Sequence, residues 1–547
     1  MYATTGLGTY GSKFMKSTLY LIFVGIVEII SYTIVRAALE VELKDLGLYE
    51  FDYIDFILRH ISSFFVIMLL PMLVARIATD EGVGKHKVVT LRIQIAETVC
   101  YYGSFLAALI ILFLQILGHM EYIPRELFSP VKHDMYCYEN SYMCVWVHYT
   151  IRIFALPYNT IVSSCALPVL LGLRKPELIV RVIVIKNIIW IICVFLSLYV
   201  LNISLLGVGL SDFLCNFIAY KIWKRLLRNN TTFRENYKFK EVDNRIKTPN
   251  FKATRKKPGD SGGNNDSKDS CLGGRCCRPS YACRFCCYMC KGRDRLYNEI
   301  RKQFWGDLFV MGVRSTILLA VDAAVTLIFD AENVKKEWTV NTAFDAIHRI
   351  SSIPYMFGNA VSCVLIVVGS KYLNEIYRVY NPYDYENLAK RFPTVALVCG
   401  MLCSISAVVL ASFLVGSPLT KASGLMDWTG IFPFILAQTF SVTAQIYEGL
   451  LFASLDFQYL MIVAVMCAFP YVACVGAAFY QFHYTSLLWT ALAIFSSQRL
   501  YLVYRRIHHH TLPKLEEESN NIDEFDALLN DTDDEEDAIF LRTIRLK

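Results

Sequence analysis

Long apolar runs recur along this chain at intervals that leave little between them but short polar loops. Each is long enough to cross a bilayer as a helix, for which about 20 residues are needed. Twelve such spans are predicted, at roughly 15–38, 53–78, 90–118, 144–172, 177–201, 203–224, 304–330, 344–371, 391–416, 427–453, 456–481 and 484–505. Between the sixth and seventh lies a polar stretch, 225–303, rich in Lys, Arg, Gly, Ser and Asn. It has too little apolar surface to bury a core and reads as a linker. The pattern predicts an all-α polytopic membrane protein: a six-helix lobe at 1–224, a linker at 225–303, a second six-helix lobe at 304–505 and a tail at 506–547.

Composition agrees. Of 547 residues 55% are hydrophobic and 19% charged, below the quarter or so typical of soluble domains. The first apolar run is too long for a cleavable signal and lacks a small-residue cleavage site. The net charge of +6 matters less than its distribution. Thirteen Lys and Arg residues fall on one side (Lys13, Lys16, Lys85, Lys87, Arg92, Arg174, Lys175, Lys371, Arg378, Lys390, Arg391, Arg505, Arg506). Six fall on the other (Lys44, Arg125, Lys132, Lys335, Lys336, Lys421). The positive-inside rule then places both termini and the linker in the cytosol. On the opposite side Cys137 and Cys144 are seven residues apart, able to pair in an oxidising compartment or to stay as thiols. The sequon at Asn202 lies too near the membrane for modification, and those at Asn229, Asn230, Asn265 and Asn530 are cytosolic on this topology.

Ionisable groups inside spans are costly unless they face protein or water. Glu28, Arg152, Lys186, Asp212, Arg314, Asp322 and Glu448 are the candidates, whereas Arg59, Arg76, Arg181, Asp345, His348, Arg349 and Arg499 lie nearer span ends, where long side chains reach the interface. In FPFILAQTFSVTAQIYEGLLFASLDF, Gln438, Ser441, Gln445 and Glu448 are three, four and three residues apart, so they share one helix face. That face meets either another helix, with the amides as interhelical glue, or a hydrated cavity. A carboxyl so placed, as at Glu28, Asp322 or Glu448, can carry a proton between the two sides, or can form an ion pair with Arg314, Arg152 or Lys186.

LPYNTIVSSCALPVLLGLRKPELIVRVIVIKN and AQIYEGLLFASLDFQYLMIVAVMCAFPYV each join a polar-tipped helix to an apolar helix through a tight turn. They occupy equivalent places in the two lobes and resemble the paired elements of multidrug and toxic compound extrusion (MATE) transporters. LLGVGLSDFLCNFIAYKIW resembles that family's sixth helix, and PYMFGNAVSCVLIVVGSKYLNEIYRVYNPYDYENLAKRF its eighth helix with the segment after it. The resemblance covers most of the chain in order and topology. It implies two pseudo-symmetric six-helix bundles rocking about a central cavity and exporting a small organic compound, cationic in most members, in exchange for H+ or Na+. Asp322 and Glu448, with Gln445, match the family's coupling positions, and Glu28 and Asp212 are further substrate or proton ligands. Departures from the pattern are Tyr32 where many bacterial members carry Asp, the bulky YLNEIYRVYNPYDY, and Lys186, which would suit an anionic substrate or a pair with Asp212.

Other readings of the chain are a flippase for a lipid-linked oligosaccharide or other lipid, and a receptor or structural protein without transport. No P-loop, nucleophile elbow or metal-binding helix pattern is present, so no enzymatic activity, cofactor, metal or nucleic-acid partner is expected. The expected partners are a small organic substrate, the coupling ion and membrane lipids. In the linker Cys271, Cys276, Cys277, Cys283, Cys286, Cys287 and Cys290 suit S-acylation or, less well because the CxxC pairs abut, zinc. In the acidic tail EFDALL, ending at Leu528 and Leu529, fits an acidic dileucine motif read by sorting adaptors. The expected location is the plasma membrane or an endosomal, lysosomal or vacuolar membrane.

Overall fold

Within the described segments helices follow one another with few residues between them, and each apolar run satisfies its backbone hydrogen bonds internally. The computed structural model describes residues 3–42, 44–82, 84–119, 139–229, 295–333, 339–374, 382–414, 428–477 and 485–513. Among these lie twelve helices. In the first half they are α1 (Ala3–Glu42), α2 (Lys44–Gly82), α3 (His86–His119), α4, α5 and α6 (Ser204–Asn229). Helix α4 runs from Glu139–Ile161 through a π turn, Val162–Ala166, into Leu167–Gly172. Helix α5 spans Pro176–Phe195 and closes on a π turn, Leu196–Val200. The second half holds α7 (Arg295–Asn333), α8 (Thr339–Asn374), α9 (Pro382–Leu414), α10 (Trp428–Ala453), α11 (Phe457–Ala477) and α12 (Thr485–Arg506).

Eight of the twelve, α1 to α7 and α11, are long and apolar enough to cross a membrane; α8 and α9 carry shorter apolar stretches, Pro354–Ser370 and Thr394–Ser406. The all-α, multi-span reading is therefore the observed architecture. Helix α7 starts at Arg295, inside the segment read from sequence as linker, because Ile300 and Phe304 give its first turns a buried face. The linker cysteines, the tail dileucine and the Cys137–Cys144 pair lie outside the described side chains.

Packing divides the helices into two groups. In the first half α4 lies against α3 and α6, and α5 against α1 and α6. In the second, α10 is central, packed on α8, α9 and α12, while α11 lies on α7 and α12. The groups meet through α2, which packs on α7 and α8, and through α1 against α8. Glycine permits the closest approaches: a Cβ added at Gly449 of α10 would stand 2.8 Å from Ser362 Oγ and 2.9 Å from the Ser362 carbonyl oxygen.

The two tight turns noted in sequence are superimposable in their bonding. Leu173, Arg174 and Lys175 donate to the carbonyls of Val169, Leu171 and Leu170, and Ser454, Leu455 and Asp456 donate to those of Leu450, Phe452 and Leu451. The middle residue of each is left-handed, Arg174 at φ 58° and Leu455 at φ 60°. A conformation that costs an L-residue about 1–2 kcal/mol thus recurs at the same step of both halves. This is the clearest local sign of the internal repeat.

Candidate functional site

Among the described residues, each half buries an ionic cluster that ties several helices together. In the second half Glu448 of α10 sits between Arg314 of α7 and Arg499 of α12. Arg499 grips it side-on, Nε to Oε1 and Nη2 to Oε2, the latter at 2.6 Å, and Arg314 Nη2 donates to Oε2 as well. All three residues are almost fully buried, at 3% exposure for Glu448, 4% for Arg314 and 6% for Arg499. The Arg314 guanidinium also lies over the Phe452 ring, 5.2 Å from its centroid. Charge-assisted pairs of this geometry are among the stronger hydrogen bonds in proteins.

The polar stripe of α10 is inward-facing along its length. Gln438, Gln445 and Glu448 are buried and Ser441 is half-buried. Gln445 lies against Gly358 of α8, and neither of its amide atoms has a hydrogen-bond partner among the described residues. The tenth helix is thus held to its neighbours by Glu448, whereas Gln445 is packed without being satisfied. Asp322 lies on α7, eight residues beyond Arg314; its side chain is outside the described ones.

In the first half Arg152 of α4 bridges two carboxylates, Asp55 of α2 at 2.7 Å and Asp212 of α6 at 3.4 Å. Asp55 also accepts from Arg59, one turn along α2, and Arg59 lies 4.8 Å from the Tyr32 ring centroid on α1. Asn216 donates to Asp212 Oδ1 at 3.1 Å. Four helices are therefore tied at one point. His148, one turn before Arg152, is fully buried, and neither ring nitrogen has a hydrogen-bond partner among the described residues. Lys186 of α5 donates to Asn159 at 2.8 Å and not to Asp212, and acts electrostatically on Glu28, whose side chain is exposed on α1.

Two readings from position along the spans are corrected here. Their places near span ends predict that Arg499 and Arg76 reach the interface. Arg499 instead turns inward to Glu448, because α12 packs along α10 and Glu448 itself sits only a turn and a half from the end of its helix. Arg76 of α2 bonds Asp307 of α7 at 2.8 and 3.0 Å, and stands over the Phe457 ring of α11 at 5.4 Å. Asp55 and Asp307 were not singled out in the sequence. For Asp55 a signal was available: Asp55 and Arg59 are four apart, a spacing that pairs opposite charges on one helix face. For Asp307 none was, since its partner is distant in the chain.

No group of metal-ligating side chains is present among the described residues. No protein-family model and no curated protein sequence match the chain. Solved structures do. A mutant form of the Vibrio cholerae MATE transporter VcmN superposes with a TM-score of 0.65 at 11% identity, over 93% of this chain and 99% of that one. The fold is that of the MATE transporters. A MATE transporter of the MOP superfamily, solved in an outward-facing conformation, superposes on the same fold with a TM-score of 0.60 at 12% identity, over 92% of this chain and 96% of that one. A MOP-superfamily transporter from Pyrococcus furiosus, described as having a binding pocket of reversed polarity, gives 0.60 at 10% identity over the same shares. Within the MATE fold of this chain, the two ionic clusters occupy one lobe each.

Proposed function

We propose that the protein is a secondary active transporter that exports a small organic compound in exchange for protons by alternating access, with its basic helix ends and both termini in the cytosol. The observation that carries this reading is the bond between Arg76 and Asp307. It joins the two lobes near the C-terminal end of α2, together with Arg92 of α3, whose Nη2 donates to Gln303 of α7 at 2.7 Å. A two-lobed carrier that opens alternately to each side needs contacts between lobes that can be broken and remade, and polar pairs in reach of water serve that better than apolar packing. The MATE fold supports the same reading.

Glu28 and Asp322 are the carboxylates proposed to carry the coupling proton, with Asp212 and Gln445 lining the path. Glu448 can join them only when its clasp opens, since two guanidiniums occupy both of its oxygens. The organic-cation class would need a carboxylate open to the cavity. The test is uptake of organic cations and organic anions into proteoliposomes under an imposed pH gradient. Gradient-driven movement of any of these solutes that is lost in Glu28→Gln or Asp322→Asn is the expected result. Phospholipid scrambling with no solute movement would replace this reading with that of a flippase.

A further inference from the structure

Among the described residues the cluster around Glu448 is not electrically balanced. Two guanidiniums meet one carboxylate, which leaves one positive charge among the described residues, deep in a lobe where an uncompensated ion costs several kcal/mol. The neighbouring described carboxylates do not supply the difference. Asp307 is engaged by Arg76 and Asp456 by Arg506. Asp322, eight residues from Arg314 and about 12 Å along the axis of α7, has a side chain outside the described ones.

Donor geometry points the same way. Arg499 occupies both oxygens of Glu448 with one edge of its fork, and Arg314 shares only Oε2. Each guanidinium carries five N–H groups in a planar arrangement that matches a carboxylate. Two forks are thus assembled around a single acceptor group, with capacity for a second. One turn along α10, the buried amide of Gln445 has no partner among the described residues for either atom, and it shares the face that bears Glu448. Tyr355 of α8, itself 41% exposed, interacts electrostatically with both arginines.

We propose that Arg314 and Arg499 form a binding site for the carboxylate of a small organic anion, which takes the place of Glu448 between the two guanidiniums and is met by the amide of Gln445. This rests on the transport reading above and fixes its substrate class. Glu448 then acts as a competitor from within: it holds the arginines apart from solvent when the site is empty and yields them when the anion enters. Removing its charge should strengthen anion binding, whereas at a cation or proton site the same change would abolish function.

The test is direct binding of radiolabelled p-aminohippurate, citrate and pyruvate to the full-length protein in nanodiscs, with tetraethylammonium as the cation probe. At least one of the anions is expected to bind saturably, and Glu448→Gln is expected to bind it at least about tenfold more tightly. Arg499→Lys keeps the charge but loses the fork, and should weaken binding about tenfold even where Glu448→Gln does not yield monodisperse protein. Binding of none of the three anions, or equal binding in wild type and Arg499→Lys, would overturn the inference. Saturable tetraethylammonium binding without anion binding would overturn it while leaving the transporter reading in place. Phospholipid scrambling without binding of any probe would remove both.

Discussion

Arg76 of α2 and Asp307 of α7 are joined by two parallel hydrogen bonds, Nε to Oδ2 at 2.8 Å and Nη2 to Oδ1 at 3.0 Å, across the boundary between the lobes. Both side chains are about 15% exposed, so the pair is neither sealed in the core nor lost to solvent screening. Asp307→Asn should loosen this end of the interface. Hydrogen–deuterium exchange is expected to rise in the last turns of α2 and the first turns of α7 while α9 stays unchanged. Exchange identical to wild type would mean that the bond does not latch the lobes.

Arg499 is the residue on which a stability experiment bears most directly. Its removal leaves Glu448 with only Arg314, and breaking a buried ion pair on one side costs about 3–5 kcal/mol. Arg499→Ala should therefore lower the melting temperature strongly, while alanine at the exposed Arg181 should leave it nearly unchanged. Similar melting of the two variants would show that the clasp contributes little.

The bridge in the first lobe predicts an order of effects. Arg152→Gln leaves Asp55 and Asp212 facing each other without their shared partner. Asp55→Asn removes the shorter bond, 2.7 Å, but leaves Arg152 in contact with Asp212. Asp212→Asn removes the longer one, 3.4 Å, and should cost least. Thermal unfolding of the three variants checks the ranking; an Asp212 variant as unstable as the Arg152 variant would show that the longer contact carries more than its distance suggests.

Gly449 tests the packing of α10 on α8. A Cβ there would meet both the hydroxyl and the backbone of Ser362, so Gly449→Ala should destabilise by about 1–3 kcal/mol through overpacking. Gly476 of α11 has nothing within 4 Å of the same position, and Gly476→Ala should be neutral or slightly stabilising, as alanine favours helix. Equal melting temperatures for the two variants would refute the close approach.

Much of the architecture was legible because it rests on local properties. An apolar run of bilayer length has to be helical wherever it ends up, since nothing else satisfies its backbone in lipid. The two turns were recognisable for a related reason: a tight connection between helices needs a left-handed residue and a fixed set of three backbone bonds, and both are set by neighbours within five residues. The face shared by Gln445 and Glu448 followed from helical period alone.

What faces that stripe did not follow. Glu448 finds one arginine 134 residues earlier and another 51 residues later, and no local rule connects them. Distance from a span end is a poor guide to whether an arginine reaches water, because a neighbouring helix can offer a carboxylate nearer than the interface, as α10 does for Arg499 and α7 for Arg76. The sequence by itself determined the helices, their number, their order and the polar face of α10, since these depend on contacts within a few residues of one another. The partners of Glu448 and Arg152, and the charge left over between two arginines and one carboxylate, were decided only by the tertiary structure, which brings to one point side chains that the chain keeps far apart.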